Sequence, residues 1–229
     1  MDHTTALHKQ ACEEGVAVEC FKFGLACELG QGIGENKWCA KEMYEKACNG
    51  KYAKGCAYLG MFYAQGWVVT QDALRAAELY EQACKGEDFD GCYNLGVSYA
   101  QGNGVEWDLS RANTLFEKAC EMGDVRGCYN LGVNSSVGDG VRRNKSRAAA
   151  LYKKACEGGL VEACYNLGVI YSKGQAGRRN IRRAAELFDK ACDGGLAQAC
   201  EAIGRKLPTD WTLFLRKPGK MRDFKLTVP

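Results

Sequence analysis

Six cysteine pairs recur along the chain, their members eight residues apart and successive pairs thirty-six residues apart: Cys12/Cys20, Cys48/Cys56, Cys84/Cys92, Cys120/Cys128, Cys156/Cys164 and Cys192/Cys200. Twelve of the fourteen cysteines obey this rule without an insertion or deletion, so the chain is an array of equal units. Gly24, Gly60, Gly96, Gly132, Gly168 and Gly204 keep the same period, as do Ala11, Ala47, Ala83, Ala119, Ala155 and Ala191, each directly before the first cysteine of its pair. A period in the thirties implies stacked helical hairpins, because one hairpin cannot bury its apolar face alone.

Two helices fit inside each unit. In the third, Cys92, Leu95, Gly96 and Tyr99 fall at i, i+3, i+4 and i+7 and make one apolar stripe, helix A. It stops at the glycine turn Gln101-Gly102-Asn103-Gly104, which recurs in looser form at Gly30 to Gly32 and Gly138 to Gly140. Asp108 then offers an N-cap oxygen, matched by Asn36, Asp72, Asn144 and Asn180, and Ala112, Leu115, Phe116, Ala119 and Cys120 form the stripe of helix B. The aromatic residue of that stripe (Tyr44, Tyr80, Phe116, Tyr152, Phe188) is expected in the core. The second unit departs most, since Trp67-Val68-Val69-Thr70 replaces the glycine turn.

The runs GCYNLGV at 91–97 and 127–133, and its variant with Ala163 at 163–169, joined to GxGV turns and AxxLYxKAC-like second helices, resemble Sel1-like repeats. Cysteines at both ends of the inter-hairpin turn narrow the resemblance to the Helicobacter cysteine-rich protein family. It covers residues 5–204 and implies an all-α, right-handed α/α solenoid of 36-residue hairpins, related to tetratricopeptide repeats. Units are expected at about 17–52, 53–88, 89–124, 125–160 and 161–196, with a half unit at each end, in a domain spanning 1–207 followed by a C-terminal extension, 208–229.

A cysteine at the end of helix B and another at the start of the next helix A lie across a short turn, where their α carbons can reach the roughly 5–6 Å that a disulfide needs. Six staples of this kind point to an oxidising compartment. Cys27 and Cys39 break the period and are read either as a seventh bridge or as two thiols. Zinc is not expected: no C-x2-C occurs, and both histidines, His3 and His8, sit at the N-terminus. The N-terminus carries no charged region followed by an apolar one, and no run of eighteen apolar residues exists. A periplasmic or secreted location is therefore expected, by removal of a leader or by another route. The mitochondrial intermembrane space is the alternative, because cysteine-rich Sel1 proteins include an assembly factor for the respiratory chain there.

Charge is uneven. Residues 1–124 carry 11 Lys+Arg against 19 Asp+Glu, and residues 125–229 carry 20 against 9. Basic residues cluster as Arg142, Arg143, Lys145 and Arg147, then one period on as Arg178, Arg179, Arg182 and Arg183, a ridge suited to an acidic partner or an anionic glycan. No catalytic residue, metal ligand or cofactor site is assigned: S-x-x-K, G-x-S-x-G, H-E-x-x-H and the phosphate loop are all missing from the sequence. The resemblance implies a second reading, a β-lactam-binding protein or weak β-lactamase that takes a β-lactam or cell-wall fragment, without a motif to locate the site.

A repeat array more often presents a groove to a peptide. With Cys92, Leu95 and Tyr99 facing helix B, the other side of helix A carries Tyr93 and Asn94, repeated as Tyr129 and Asn130, then as Tyr165 and Asn166. Tyrosine offers contact area at low entropy cost and asparagine pairs with peptide groups, so these six residues form the expected partner-binding ladder. The expected protein is a monomeric adaptor for a protein or peptide; nucleic acid is not expected as a partner. Beyond Leu207-Pro208, segments 211–216 and 221–228 flank Lys217-Pro218-Gly219-Lys220 and read as a terminal hairpin.

Overall fold

The computed structural model describes residues 1–205, so the expected hairpin and the extension 208–229 lie outside the described residues. Among those residues there are twelve helices and no strand. The helices are α1 (His3–Glu13), α2 (Ala17–Leu29), α3 (Lys37–Asn49), α4 (Ala53–Gln65), α5 (Ala73–Lys85), α6 (Phe89–Gln101), α7 (Leu109–Glu121), α8 (Val125–Val137), α9 (Lys145–Glu157), α10 (Val161–Lys173), α11 (Ile181–Asp193) and α12 (Ala197–Ala202). Even-numbered helices are the A type and odd-numbered helices the B type, in a solenoid-like repeat. The chain divides into two compact units, Met1–Ala148 and Ala149–Pro229. In the first, α2 packs on α3, α4 on α5 and α6 on α7; in the second, α10 packs on α11 and α11 on α12.

The B helices begin where their caps dictate. Asn36, Asp72, Asp108, Asn144 and Asn180 each accept a hydrogen bond from the backbone N–H three residues on, at 2.9–3.0 Å. The same residues close the A-to-B turn through their own N–H groups: Asp108 donates to the carbonyl of Tyr99 and Asn36 to that of Cys27. Helix A ends in a left-handed residue at each turn; Gly102, at φ 69°, is one, in a region where a side chain would cost about 1–2 kcal/mol. In the second hairpin Val68 adopts φ 53° without being glycine, the local consequence of Trp67-Val68-Val69-Thr70.

Glycine and aromatic residue form one packing device. A Cβ on Gly96 would stand 2.7 Å from the ring of Phe116, twenty residues later on α7, so helix A can lie this close to helix B only because the side chain is missing. The alanines that precede the cysteines are sealed in, with Ala47, Ala83, Ala119, Ala155 and Ala191 at 0% exposure. The core of the first hairpins adds Phe21, Tyr44, Phe62 and Leu79.

All six periodic pairs are disulfides: Cys12–Cys20, Cys48–Cys56, Cys84–Cys92, Cys120–Cys128, Cys156–Cys164 and Cys192–Cys200. The first member of each sits in the last turn of a B helix. The second, Cys20, Cys56, Cys92, Cys128, Cys164 or Cys200, is the fourth residue of the following A helix, and all six are buried. The expected spacing needs correction at every one of these pairs, since their α carbons lie 4.4–4.7 Å apart rather than 5–6 Å. Small residues at the crossing explain it: Gly91 lies so near Ala83 that an added Cβ would overlap the alanine methyl. Cys27 and Cys39 form the seventh bridge, at 5.9 Å between α carbons. The Asn36 backbone N–H, donating to the carbonyl of Cys27, holds α2 and the start of α3 together beside it. Two and four periods later the same two positions hold Tyr99 and Arg111, whose guanidinium lies 5.6 Å from the ring centre, and Tyr171 and Arg183, at 5.0 Å. The seventh disulfide is thus the covalent version of a contact that other hairpins make as cation–π pairs.

Candidate functional site

The first turns of the A helices in Met1–Ala148 carry a ladder of charge. Lys54 on α4, Asp90 on α6 and Arg126 on α8 occupy one repeat position with alternating sign. Arg126 reaches back to Asp90 and is clasped by Asp124, whose carboxylate accepts from its Nε at 3.0 and 3.1 Å. Asp124, only 4% exposed, also caps α8 by accepting from the backbone N–H groups of Arg126 and Gly127. The guanidinium covers the Tyr93 ring at 4.2 Å. Although burial opposes its charge, the two carboxylates raise the Arg126 pKa, so the group stays a cation.

Tyr93 and Asn94 stand beside this ladder on α6, with Tyr129 and Asn130 one period on along α8, all four half-buried. The expected orientation needs correction at the ring. Tyr93 lies 5.9 Å from Phe116 of helix B and hydrogen-bonds Asn130, so it packs against its hairpin and ties α6 to α8 as well as meeting solvent. The sequence pattern assigned one face per residue, whereas a tyrosine ring is long enough to touch the glycine-narrowed groove with its face and the next helix with its hydroxyl. Asn94 makes no side-chain hydrogen bond among the described residues. In the unit from Ala149, Tyr165 and Asn166 are half-buried on α10, and the Tyr165 ring sits 5.5 Å from Phe188.

The basic residues are engaged unevenly. Arg142 and Arg143 are exposed, while Lys145 donates to Ser136 at 2.6 Å and Arg147 pairs with Glu117. In the second unit Arg178 is exposed, Arg179 donates to the carbonyl of Ser172, Arg182 pairs with Glu186 at 3.4 Å, and Arg183 covers Tyr171. Among the described residues no cluster of His, Cys, Asp and Glu is grouped to hold a metal ion, and no helix is long and apolar enough to cross a membrane.

Asp88 is the buried carboxylate next to the ladder, 8% exposed and accepting from the Gly91 N–H at 2.8 Å as the cap of α6. Burial pushes its pKa up, against the cap bond and Lys54, which pull it down. A carboxyl whose folded pKa is raised adds stability only in acid, and that contribution is lost as pH rises through the folded value. Asp88→Asn, which keeps the cap acceptor and removes the charge, is expected to raise the urea midpoint at pH 7, with the gain shrinking as pH falls through the carboxylate range. A gain of equal size at both ends of that range would contradict the burial argument.

Comparison with known proteins agrees with the repeat frame. The Sel1 repeat model matches residues 20–52, 53–88, 89–124, 125–160 and 161–196. A protective antigen of uropathogenic Escherichia coli displaying an SLR fold is 24% identical, with a TM-score of 0.80 over 88% of this chain and 45% of that one. This chain therefore spans less than half the length of that antigen. A Sel1 repeat protein from Oxalobacter formigenes is 24% identical, with a TM-score of 0.77 over 83% of this chain and 78% of that one. Helicobacter pylori cysteine rich protein B is 34% identical, with a TM-score of 0.45 over 54% of this chain and 88% of that one. No curated protein matches the chain closely enough for comparison.

Proposed function

This chain belongs to the Sel1-repeat family, and from that premise we propose that it is a disulfide-stapled adaptor whose A-helix face holds a protein or peptide partner. The observation that carries the reading is the half-buried Tyr93–Asn94 pair, where a ring already held in place stands beside a carboxamide with no side-chain partner among the described residues. Rigid aromatic surface next to adaptable amide groups is the chemistry of protein recognition, because little entropy is lost on binding. Tyr129 with Asn130, and Tyr165 with Asn166, repeat the residue types, with the Asn130 carboxamide already engaged by Tyr93. Seven disulfides and no free cysteine among the described residues support a working place outside the reducing cytosol, periplasmic or secreted.

The amides rather than the rings should be tested, because Tyr93 and Tyr165 also pack on Phe116 and Phe188. A partner captured from extracytoplasmic extract is purified and titrated against the whole chain. The variant Asn94→Ala, at the amide without a side-chain partner among the described residues, should bind at least about tenfold more weakly, roughly 1.4 kcal/mol, while helicity and thermal midpoint stay near those of the parent. The variant Arg142→Ser/Arg143→Ser/Arg178→Ser/Arg179→Ser should change mainly on-rate and salt dependence. Unchanged affinity in the asparagine variant, with failure of the arginine variant, would move recognition to the charged edge.

A further inference from the structure

A cleft of about 380 Å³ opens between the C-terminal ends of α4 and α6 and the start of α5. That volume lies in the range of small-ligand sites, roughly 300–1,000 Å³. Its origin is visible one period earlier, where the corresponding space is full. There the Tyr44 hydroxyl donates to Glu28 at 2.6 Å, the Tyr44 ring lies 5.2 Å from Tyr58 and 5.7 Å from Phe62, and Phe62 lies 5.4 Å from Trp67. Thirty-six residues on, Glu28, Tyr58, Phe62 and Trp67 become Ala64, Asn94, Ser98 and Asn103. Three aromatic side chains and a carboxylate are exchanged for a methyl, two amides and a hydroxyl, and all four replacements line the cleft.

The tyrosine itself is kept. Tyr80, the counterpart of Tyr44, also lines the cleft and is 5% exposed, yet among the described residues no group accepts its hydroxyl proton. The next hairpin has Phe116 at this position, so a hydroxyl over an amide-lined space belongs to this hairpin alone within Met1–Ala148. Gln71 donates to the carbonyl of Ala64 at 2.9 Å and Asn103 to Gln101 Oε1 at 2.8 Å, which leaves Gln71 Oε1, Gln101 Nε2 and the Asn94 carboxamide for a guest. None of the lining side chains is charged.

We propose that this cleft binds a neutral carboxamide on a short aliphatic stem, the end of a glutamine side chain or of a small primary amide, in the place that Glu28 fills one period earlier. The guest carbonyl accepts from the Tyr80 hydroxyl, as Glu28 accepts from Tyr44, and its N–H groups meet Gln71 Oε1 and Asn94. A carboxylate is the poorer guest, since no cation lines the space to offset its desolvation. The site shares Asn94 with the partner-binding face, but Tyr80 lies apart from the Tyr93 ladder and tests the cleft separately.

The whole labelled chain is titrated with N-acetylglutamine N-methylamide, its glutamate counterpart, the leucine counterpart and propionamide, following the side-chain amide signals of Gln71, Asn94 and Gln101. Saturable shifts are expected with the glutamine compound and propionamide, weaker ones with glutamate, and none with leucine. A clear preference for the capped glutamine over propionamide assigns the guest to a peptide; equal binding assigns it to a free amide. Tyr80→Phe, which folds as the Phe116 hairpin does, should weaken binding about tenfold, and Ala64→Gln should abolish it by filling the cleft from within. No saturable shift with either amide, or shifts that persist in Ala64→Gln, would overturn the site whatever the fate of the adaptor reading.

Discussion

Complete reduction of the seven disulfides is expected to collapse the stability of this protein rather than trim it. Closing a loop of about nine residues contributes about 2.5 kcal/mol on the chain-entropy model, and the first unit holds four such loops together with Cys27–Cys39. Their combined contribution, on the order of 10 kcal/mol by the same model, is comparable with the whole stability of an ordinary domain, about 5–15 kcal/mol. The bridges also lie at the turns that couple one hairpin to the next, the coupling on which a repeat array depends. Circular dichroism with a thiol-free reductant at 37 °C should lose most of its helical signal, with the alkylated mass confirming that all bridges opened. Removing one bridge, Cys84→Ala/Cys92→Ala, should cost only about 2–3 kcal/mol. A fully reduced chain that keeps its helicity and its denaturant midpoint would show that packing alone holds the hairpins together.

Arg126→Ala should be the most damaging single change on the A-helix face. It strips the partner from Asp124, whose side chain is 2% exposed, and from Asp90, and it uncovers the Tyr93 ring. Breaking a buried ion pair by removing one member costs about 3–5 kcal/mol; with the Arg126 side chain 28% exposed and Asp124 still bonded to backbone N–H groups, about 2–3 kcal/mol is expected here. Arg126→Lys should recover only part of that, because a single ammonium cannot hold Asp124 through two nitrogens while lying flat on the ring. Urea melts of both variants beside Asp90→Ala separate the contributions, since Asp90→Ala leaves the Asp124 clasp intact. If Arg126→Ala and Asp90→Ala cost the same, the Asp124 contact contributes nothing and the burial argument fails.

The wide reach of Arg126 bears on the adaptor reading. The guanidinium ties α8 to α6 across one period and orients Tyr93 through its ring, so its loss should weaken partner binding through the ladder as well as through stability. Measuring affinity at a temperature where the variant remains folded distinguishes the two effects.

The thirty-six-residue period by itself determined much of this protein: paired helices, the five N-caps from Asn36 to Asn180, the buried aromatic residues Tyr44, Tyr80, Phe116 and Tyr152 of the B helices, and the periodic cysteine partners from Cys12–Cys20 to Cys192–Cys200. Each of these is a local rule, set by neighbours within one hairpin or across one short turn, and repetition multiplied a weak signal into a firm one. Only tertiary structure decided the rest. How closely the paired cysteines approach depended on the small residues at the helix crossing, which no spacing along the chain measures. Whether Cys27 reaches Cys39 depended on how the A-to-B turn folds back, although the Tyr/Arg pairs at the same repeat positions were there to be read in register. The Tyr93 ring was expected to face away from helix B, and its contact with Phe116 became visible only when the gap left by Gly96 had a width. The cleft at Tyr80 was hidden for the same reason. A cavity is what four separated substitutions, at 64, 94, 98 and 103, leave between three helices, and no single helix pattern records a volume that exists only when the helices are packed.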